Sequence, residues 1–491
     1  MTPELAARKF QFREGFNLVD YGEVGLPIFR LTLEAITMSP RFMPTIQEFV
    51  MRCLAHGESH EVAIANMLGL KLDIIVGAMN LLISEGYVAR EPNSDIADTF
   101  LLTDAGKLRL LVDRSEVPQE EMIVVDYDGV RRIPVRLTGE SVVRPAMLQG
   151  TGAVQIRPYP ADAPGVGDLA IPEISKVIRR QKSEDFRRTV LSLKRVVRRN
   201  NLFREGVALV FAAEKSDEVQ VAFVIDGKLS DACELAFAHN GGPKKMGFLR
   251  TVAEIDLSKK LEKMVGRAIH KSMPDRNAMK AARKMEVDGL VELDSVKRAA
   301  AGSQLHRSSP LAVAMAAAEK RLETARQEMD AFEVRPLACY EQIELLDTAL
   351  KKARKSLVIT TAGIQSFIVN PARLRDIDLL VGEGVHIEIE SYLPLPKEQR
   401  SGGKYDPLWE LARRDAKGGL TIRKGGKQDF FFLVQDDELA VVSTRPFFGE
   451  ASRRAGFMRV QGLVTRKPEF VEEIRSIVLG SISPTVRPNG N

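Results

Sequence analysis

The sequence predicts a multidomain chain of mixed α/β and α+β class, and three features of its 491 residues carry that expectation. Residues 41–115 run through short amphipathic helical segments that close on two extended segments. Residues 116–335 join hairpin signals to a strongly basic stretch and Ala-rich helices, and residues 336–482 alternate apolar strand-like runs with helices. An N-terminal extension (1–40), a β-rich connector (116–168), a basic α/β and helical middle region (169–335) and a tail (483–491) complete the expected partition. At about 100–200 residues per domain, the length supports about three domains with ample cores.

The helical module opens at Pro44. "TIQEFVMRCLAHG" puts Ile46, Phe49, Val50 and Leu54 on one face and stops at Gly57; Ser59 can cap "HEVAIANMLGL"; and "KLDIIVGAMNLLISEGYVAR" yields a third helix ending at Gly86. "YVAREPNSDIADTFLLTDAGKLRLL" then gives an extended pair around a Pro/Asn/Asp turn, followed by a further helix. Over residues 40–115 these segments resemble the winged helix-turn-helix family, above all in "SEGYV" before the wing and "LTDAGKLRLL" after it. The resemblance implies that the third helix enters a DNA major groove, which calls for polar or basic outward residues. Lys71, Asp73, Asn80, Ser84 and Glu85, beside Ile74, Ile75 and Val76, make a poor reading surface. Protein docking therefore stands beside DNA binding, with Arg90, Lys107 and Arg109 around the wing as the phosphate candidates.

In the connector, "EMIVVDYDGVRRIPVRL" sets two β-prone runs about Asp128-Gly129, a hairpin signal, and Pro158, Pro160 and Pro164 mark a boundary. Beyond it, "KVIRRQKSEDFRRTVLSLKRVVRRNNLFR" holds the strongest charge feature of the chain. Phe186, Val190, Leu193 and Val197 fall at helical spacing, which predicts an amphipathic helix. From it fan Arg179, Arg180, Arg187, Arg188, Lys194, Arg195, Arg198 and Arg199. Such a one-sided excess suits DNA or RNA phosphates, by charge neutralisation and counterion release, although a solvated face is the plain alternative. Two strands in "GVALVFAAEKSDEVQVAFVIDGKLSD", a helix in "ACELAFAHNGG" and a helical stretch over 257–335 follow.

In the last third, "YEQIELLDTALKKA", "PARLRDIDLLVGEG", "DPLWELARRDA" and "PEFVEEIRSIVLG" are helices. Between them "KSLVITTA", "VHIEIESYL", "LTIRK", "FFFLVQ", "ELAVVST" and "GFMRVQGLVT" are strands, so a largely parallel sheet covered on both faces is expected. Over residues 337–480 this succession resembles the phospholipase D superfamily, whose motif is His-x-Lys followed by four residues and an Asp on a strand leading to a hairpin. "VQDDELAVVST" matches the family's acidic pair, apolar strand and Ser/Thr-containing turn. With Asp436 at the motif's Asp, Asp429 falls on the histidine and Phe431 on the lysine. The resemblance implies a histidine that attacks phosphorus and a lysine that stabilises the phosphoryl charge. Asp429 repels an anionic diester and Phe431 donates nothing. "STRPFF" and "RVQGLV" also depart from the family's Gly-Ser turn and from the glutamate that orients its histidine. The expectation is a domain that is not an enzyme.

Composition bounds the rest. Apolar content of 44%, charged content of 28% and a formal charge of +5 are ordinary for a soluble globular chain. No run approaches the ~18 apolar residues of a membrane span, and the first residues lack a signal-peptide core, so a cytoplasmic location is expected. Cys53, Cys233 and Cys339 are scattered, His56 and His60 lack further ligands at a recognisable spacing, and no nucleotide-binding glycine loop occurs. No metal or cofactor is implied.

Together these features describe a non-catalytic nucleic-acid-associated or scaffold protein, with a protein partner or a second copy docking on the degenerate domain. Winged helices joined to phospholipase D-like domains occur among bacterial regulators and defence-associated proteins, an analogy of architecture. Two alternatives stay open: a phosphodiesterase or nuclease subunit completed by a partner's active half, and a pure protein adaptor.

Overall fold

The computed structural model describes residues 1–41, 43–91, 99–111, 115–179, 189–253, 257–300, 310–392, 405–449 and 456–481. The class is mixed α/β and α+β, as the sequence predicts. The chain divides into two interleaved compact units: residues 1–27, 140–161 and 202–491 form one, and residues 28–139 and 162–201 the other. The chain passes between them four times, at residues 27–28, 139–140, 161–162 and 201–202, the third inside the Pro-rich stretch.

The smaller unit is built on a β-ribbon. The strand Phe16–Arg41, from Ile28 onward, pairs antiparallel with Ser115–Asp128 in an unbroken register from Ile28 opposite Asp128 to Arg41 opposite Ser115. Phe29, Leu31, Leu33 and Ala35 alternate with Arg30, Thr32, Glu34 and Ile36. A strand's period of two sends the first set, with Ile123, Val125 and Tyr127, onto a core shared with Leu169, Ile174, Ile178 and Val190. The helical module lies between the two ribbon strands in sequence. Its helices Thr45–Ala55, Glu61–Leu68 and Leu72–Ser84 pack through Val50, Met51, Ile64, Ile75, Met79 and Leu82. The strands Val88–Arg90 and Phe100–Leu102 form the wing, extended by a bridge between His60 and Thr99. Gly106, in the following helix Asp104–Leu111, sits where a β-carbon would come 2.2 Å from the Tyr87 carbonyl, which is why this close approach needs glycine. His60, not Ser59, occupies the cap position of the second helix, because Ser59 is drawn into the wing by the Phe100 N–H.

The expected basic helix is a strand. Among the described residues Thr189–Ala213 is extended over its whole length and Ile171–Arg179 before it is helical, while Phe186 lies outside them. Val190, Val196 and Val197 favour the pleated backbone, and Val190, Leu193 and Val196 lean on the ribbon core, so packing overrides the helical spacing.

In the larger unit, residues 207–212 of that strand pair with Val219–Ile225, which pairs in turn with Lys228–Leu229. The N-terminal helix Pro3–Lys9 contributes Ala6 and Ala7 to a core with Leu209, Phe211, Ala222 and Tyr340. Helices Arg276–Ala300 and Pro310–Asp330 pack together where Gly289 meets the Leu322 backbone. The C-terminal sheet has strand order Val334–Pro336, Gly462–Thr465, Leu439–Ser443, Phe431–Gln435, Ser356–Thr361, His386–Ser391, Thr421–Lys424. The last three are parallel and all other neighbours are antiparallel. The largely parallel sheet expected from the alternation is thus parallel in one half only: the crossover helices end at Thr421–Lys424, and the remaining strands pair antiparallel, Phe431–Gln435 and Leu439–Ser443 through a tight turn. Both faces are covered as expected. Helices Glu341–Lys352, Pro371–Gly382 and Pro407–Ala416 bury one face, and Ser258–Lys271 with Pro468–Ser481 bury the other.

Candidate functional site

Asp436 occupies the tight turn between Phe431–Gln435 and Leu439–Ser443, in the left-handed region at φ 45°. Its carboxylate accepts three backbone N–H bonds, from Arg354 at 2.8 Å, Lys355 at 2.7 Å and Ser356 at 2.8 Å. Burial pushes this carboxyl up, but those N–H groups outweigh it and hold the group below the usual aspartate value. Asp436 therefore anchors the hairpin to the start of the central strand.

The other two motif positions do different work. Phe431 is buried in the helix-covered core with Phe447 and Phe448, both completely inaccessible, so its surroundings are aromatic and aliphatic carbon. Asp429 is exposed, and the Lys260 Nζ lies 2.9 Å from its Oδ2. Three polar side chains from the neighbouring segments are bonded within the protein. Ser443 Oγ donates to Gln342 Oε1 and accepts the Arg445 N–H, each at 3.0 Å. Arg445 is bonded to the buried Asp20. Gln461, from "RVQGLV", accepts the Leu257 N–H at 2.7 Å and donates to Ser258 Oγ at 2.8 Å, capping the helix Ser258–Lys271.

At the carboxyl end of the parallel strands lies a cluster that sequence reasoning missed. Glu388 and Glu390, two apart in one strand, are both buried, with Arg423 Nη1 2.9 Å from Glu388 and Gln428 Nε2 donating to Glu390 at 3.0 Å. Among the described residues, Glu390 Oε2 has no hydrogen-bond partner. Burial, then the neighbouring Glu388 charge, pushes the Glu390 carboxyl up. The signal was present in "HIEIES", where glutamate alternates with isoleucine in a strand that must be covered on both faces.

The basic residues are dispersed. Arg180, Arg187 and Arg188 lie outside the described residues, and Arg179 ends the helix Ile171–Arg179. Lys194, Arg195, Arg198 and Arg199 are all exposed on the strand, where alternation sends Lys194 and Arg198 to one face and Arg195 and Arg199 to the other. The single fan expected from a helix is therefore split. Lys194 pairs with Glu120, and Arg195 with Glu34 at 2.7 Å. Arg198 bonds Asn200 at 3.2 Å, and neither it nor Arg199 has an acidic partner among the described residues. At the wing, Arg90 lies over the Phe100 ring, Lys107 pairs with Asp104 at 3.2 Å, and Arg109 is half-buried. On the third helix, Leu72, Ile74 and Leu81 are exposed with Asp73, Asn80 and Ser84.

Among the described residues no group of three or more His, Cys, Asp or Glu side chains could hold a metal ion, and no single helix is long and apolar enough to cross a membrane. The three cysteines are buried, and none of them forms a disulfide.

No protein-family model matches the chain, and no curated protein does. Among solved structures it is similar to TrmBL2, an archaeal chromatin protein described as showing a novel mode of DNA binding, at 17% identity and a TM-score of 0.22, over 34% of this chain and 59% of that one. Phosphatidylserine synthase of Haemophilus influenzae Rd KW20 is similar at 16% identity and a TM-score of 0.21, over 40% of this chain and 52% of that one. Polyphosphate kinase of Porphyromonas gingivalis is similar at 17% identity and a TM-score of 0.23, over 34% of this chain and 29% of that one. The chain thus spans between 29% and 59% of the length of these three proteins.

Proposed function

We propose that this is a non-catalytic protein that associates with DNA or RNA through phosphate contacts, with a phospholipase D-like C-terminal domain serving as architecture. The observation that carries the nucleic-acid reading is the exposed run Lys194–Arg199, in which Arg198 and Arg199 keep their charge without an acidic neighbour among the described residues. Cations in that state release counterions when they meet phosphate, whereas those already paired with Glu34 and Glu120 gain less. The non-catalytic reading is supported by the Phe431, Phe447 and Phe448 packing and by the internal bonding of Ser443, Arg445 and Gln461. A nucleophilic mechanism needs a group that touches the diester, and neither Asp429 nor Phe431 supplies one.

The third helix of the winged module favours a protein partner over base readout. Leu72, Ile74 and Leu81 are 45%, 40% and 54% exposed, and a surface of that kind desolvates well against another protein and contributes nothing to base edges. The test is anisotropy of labelled duplex and single-stranded DNA and RNA at low salt, alongside turnover of a chromogenic phosphodiester. Binding without turnover is the expected result. Absence of binding to every probe would leave only the adaptor reading, and turnover that co-purifies with this chain and vanishes on substitution of its own residues would overturn the non-catalytic one.

A further inference from the structure

Between the helix Pro3–Lys9 and the sheet of the larger unit lies a half-open cavity of about 760 Å³, within the roughly 300–1,000 Å³ range of small-molecule sites. The order of strands in the sheet brings Val224, Val207 and Val24 into its wall from three neighbouring strands, all buried, with Leu148 beside them. The charges around this apolar floor fall into two groups. Lys9 and Arg298 both bind Asp294, at 3.4 and 2.6 Å, and Arg204 binds Asp226 at 2.6 Å, so these acids are neutralised. Glu23 and Glu205 also line the cavity, on neighbouring strands, and neither has a cationic partner among the described residues. Their mutual repulsion is visible in the Glu23 carboxyl, which burial and then the Glu205 and Glu4 charges push up. Lys228 lines the cavity as well, but its strand stands two strands from that of Glu205, about 10 Å at ~4.8 Å per strand.

We propose that this cavity binds a small organic cation, with a primary ammonium or guanidinium group seated on Glu23 and Glu205 and an apolar body lying over Val207 and Val224. An anion would meet two unneutralised carboxylates, and a neutral apolar molecule would bury them without a partner. A cation relieves both costs at once. The inference is independent of nucleic-acid binding, since it uses none of the basic-strand residues.

Isothermal titration of the full chain with phenethylamine and with agmatine tests it, with 2-phenylethanol as the uncharged control. Saturable binding of at least one of the two cations is expected, with the alcohol at least tenfold weaker. The Glu23→Gln and Glu205→Gln variants should each lower the cation's affinity several-fold, and the double variant at least tenfold. Because both substitutions remove like-charge repulsion, the melting temperature should be unchanged or raised, which separates a lost contact from a lost fold. Failure of both cations to saturate, equal binding of the alcohol, or a double variant that binds as tightly as the natural chain would each overturn the proposal.

Discussion

Replacing Asp436 by alanine leaves three backbone N–H groups, of Arg354, Lys355 and Ser356, without their acceptor, in a turn where the aspartate is 3% exposed. A hydrogen bond to a charged group contributes about 1.5–3 kcal/mol, and the three are not additive because the donors regain water when the turn opens. Alanine also loses the side chain that tolerates the left-handed backbone at φ 45°, which adds about 1 kcal/mol. The expected loss for Asp436→Ala is about 3–5 kcal/mol. Asp436→Asn keeps one acceptor oxygen and the backbone preference, and should lose about 1–3 kcal/mol. The pH dependence follows from the depressed carboxyl: its contribution is complete above the unfolded value of 3.8 and disappears as pH falls through the lower folded value. Urea unfolding at neutral pH and near pH 3, with hydrogen exchange of the Ser356–Thr361 strand as the local readout, measures this. The natural chain and the asparagine variant should differ at neutral pH and converge in acid. Coincidence of the two at neutral pH, or a gap that does not narrow in acid, would refute the anchoring role.

Three further outcomes are expected. Phe431→Lys buries an ammonium group among Phe447 and Phe448 and should cost about 3–5 kcal/mol, seen as a lowered melting temperature; the Asp429→His, Phe431→Lys double variant should hydrolyse a chromogenic phosphodiester no faster than the natural chain. Glu390, whose carboxyl is held up, binds its proton more tightly folded than unfolded, so its contribution falls as pH rises above the unfolded value of 4.5. Glu390→Gln should therefore unfold at higher urea than the natural chain at neutral pH and match it in acid. Gly462→Ala places a β-carbon 2.0 Å from the Val442 carbonyl of the neighbouring strand, and a melting temperature unchanged by that substitution would contradict the observed register.

The sequence made the winged module and the C-terminal domain legible because their signals are local. Gly57 and Gly86 end helices, the Asp128-Gly129 pair sits beside a hairpin, and the Asp436 turn separates two apolar runs. What it hid depended on pairing over long separations. Phe16–Arg41 and Ser115–Asp128 find each other across the whole winged module, so the two interleaved units cannot be seen as consecutive domains. The basic segment misled for a related reason. Val190, Leu193 and Val197 have helical spacing, yet Thr189, Val190, Val196 and Val197 are β-branched and the ribbon core beside them accepts a strand. Within the candidate site, the motif positions Asp429, Phe431 and Asp436 were readable in register, while the Glu388 and Glu390 pair was passed over because alternating glutamates suggest a solvated strand face until both faces are known to be covered.

The salt dependence of duplex DNA binding tests the nucleic-acid reading most directly. Affinity of the natural chain should fall linearly with salt on logarithmic axes, with a slope of about 0.9 per phosphate neutralised. In the Arg198→Glu, Arg199→Glu variant the slope should be shallower by about 2 and the low-salt affinity sharply reduced. An unchanged slope in that variant, or no binding by the natural chain at low salt, would contradict it.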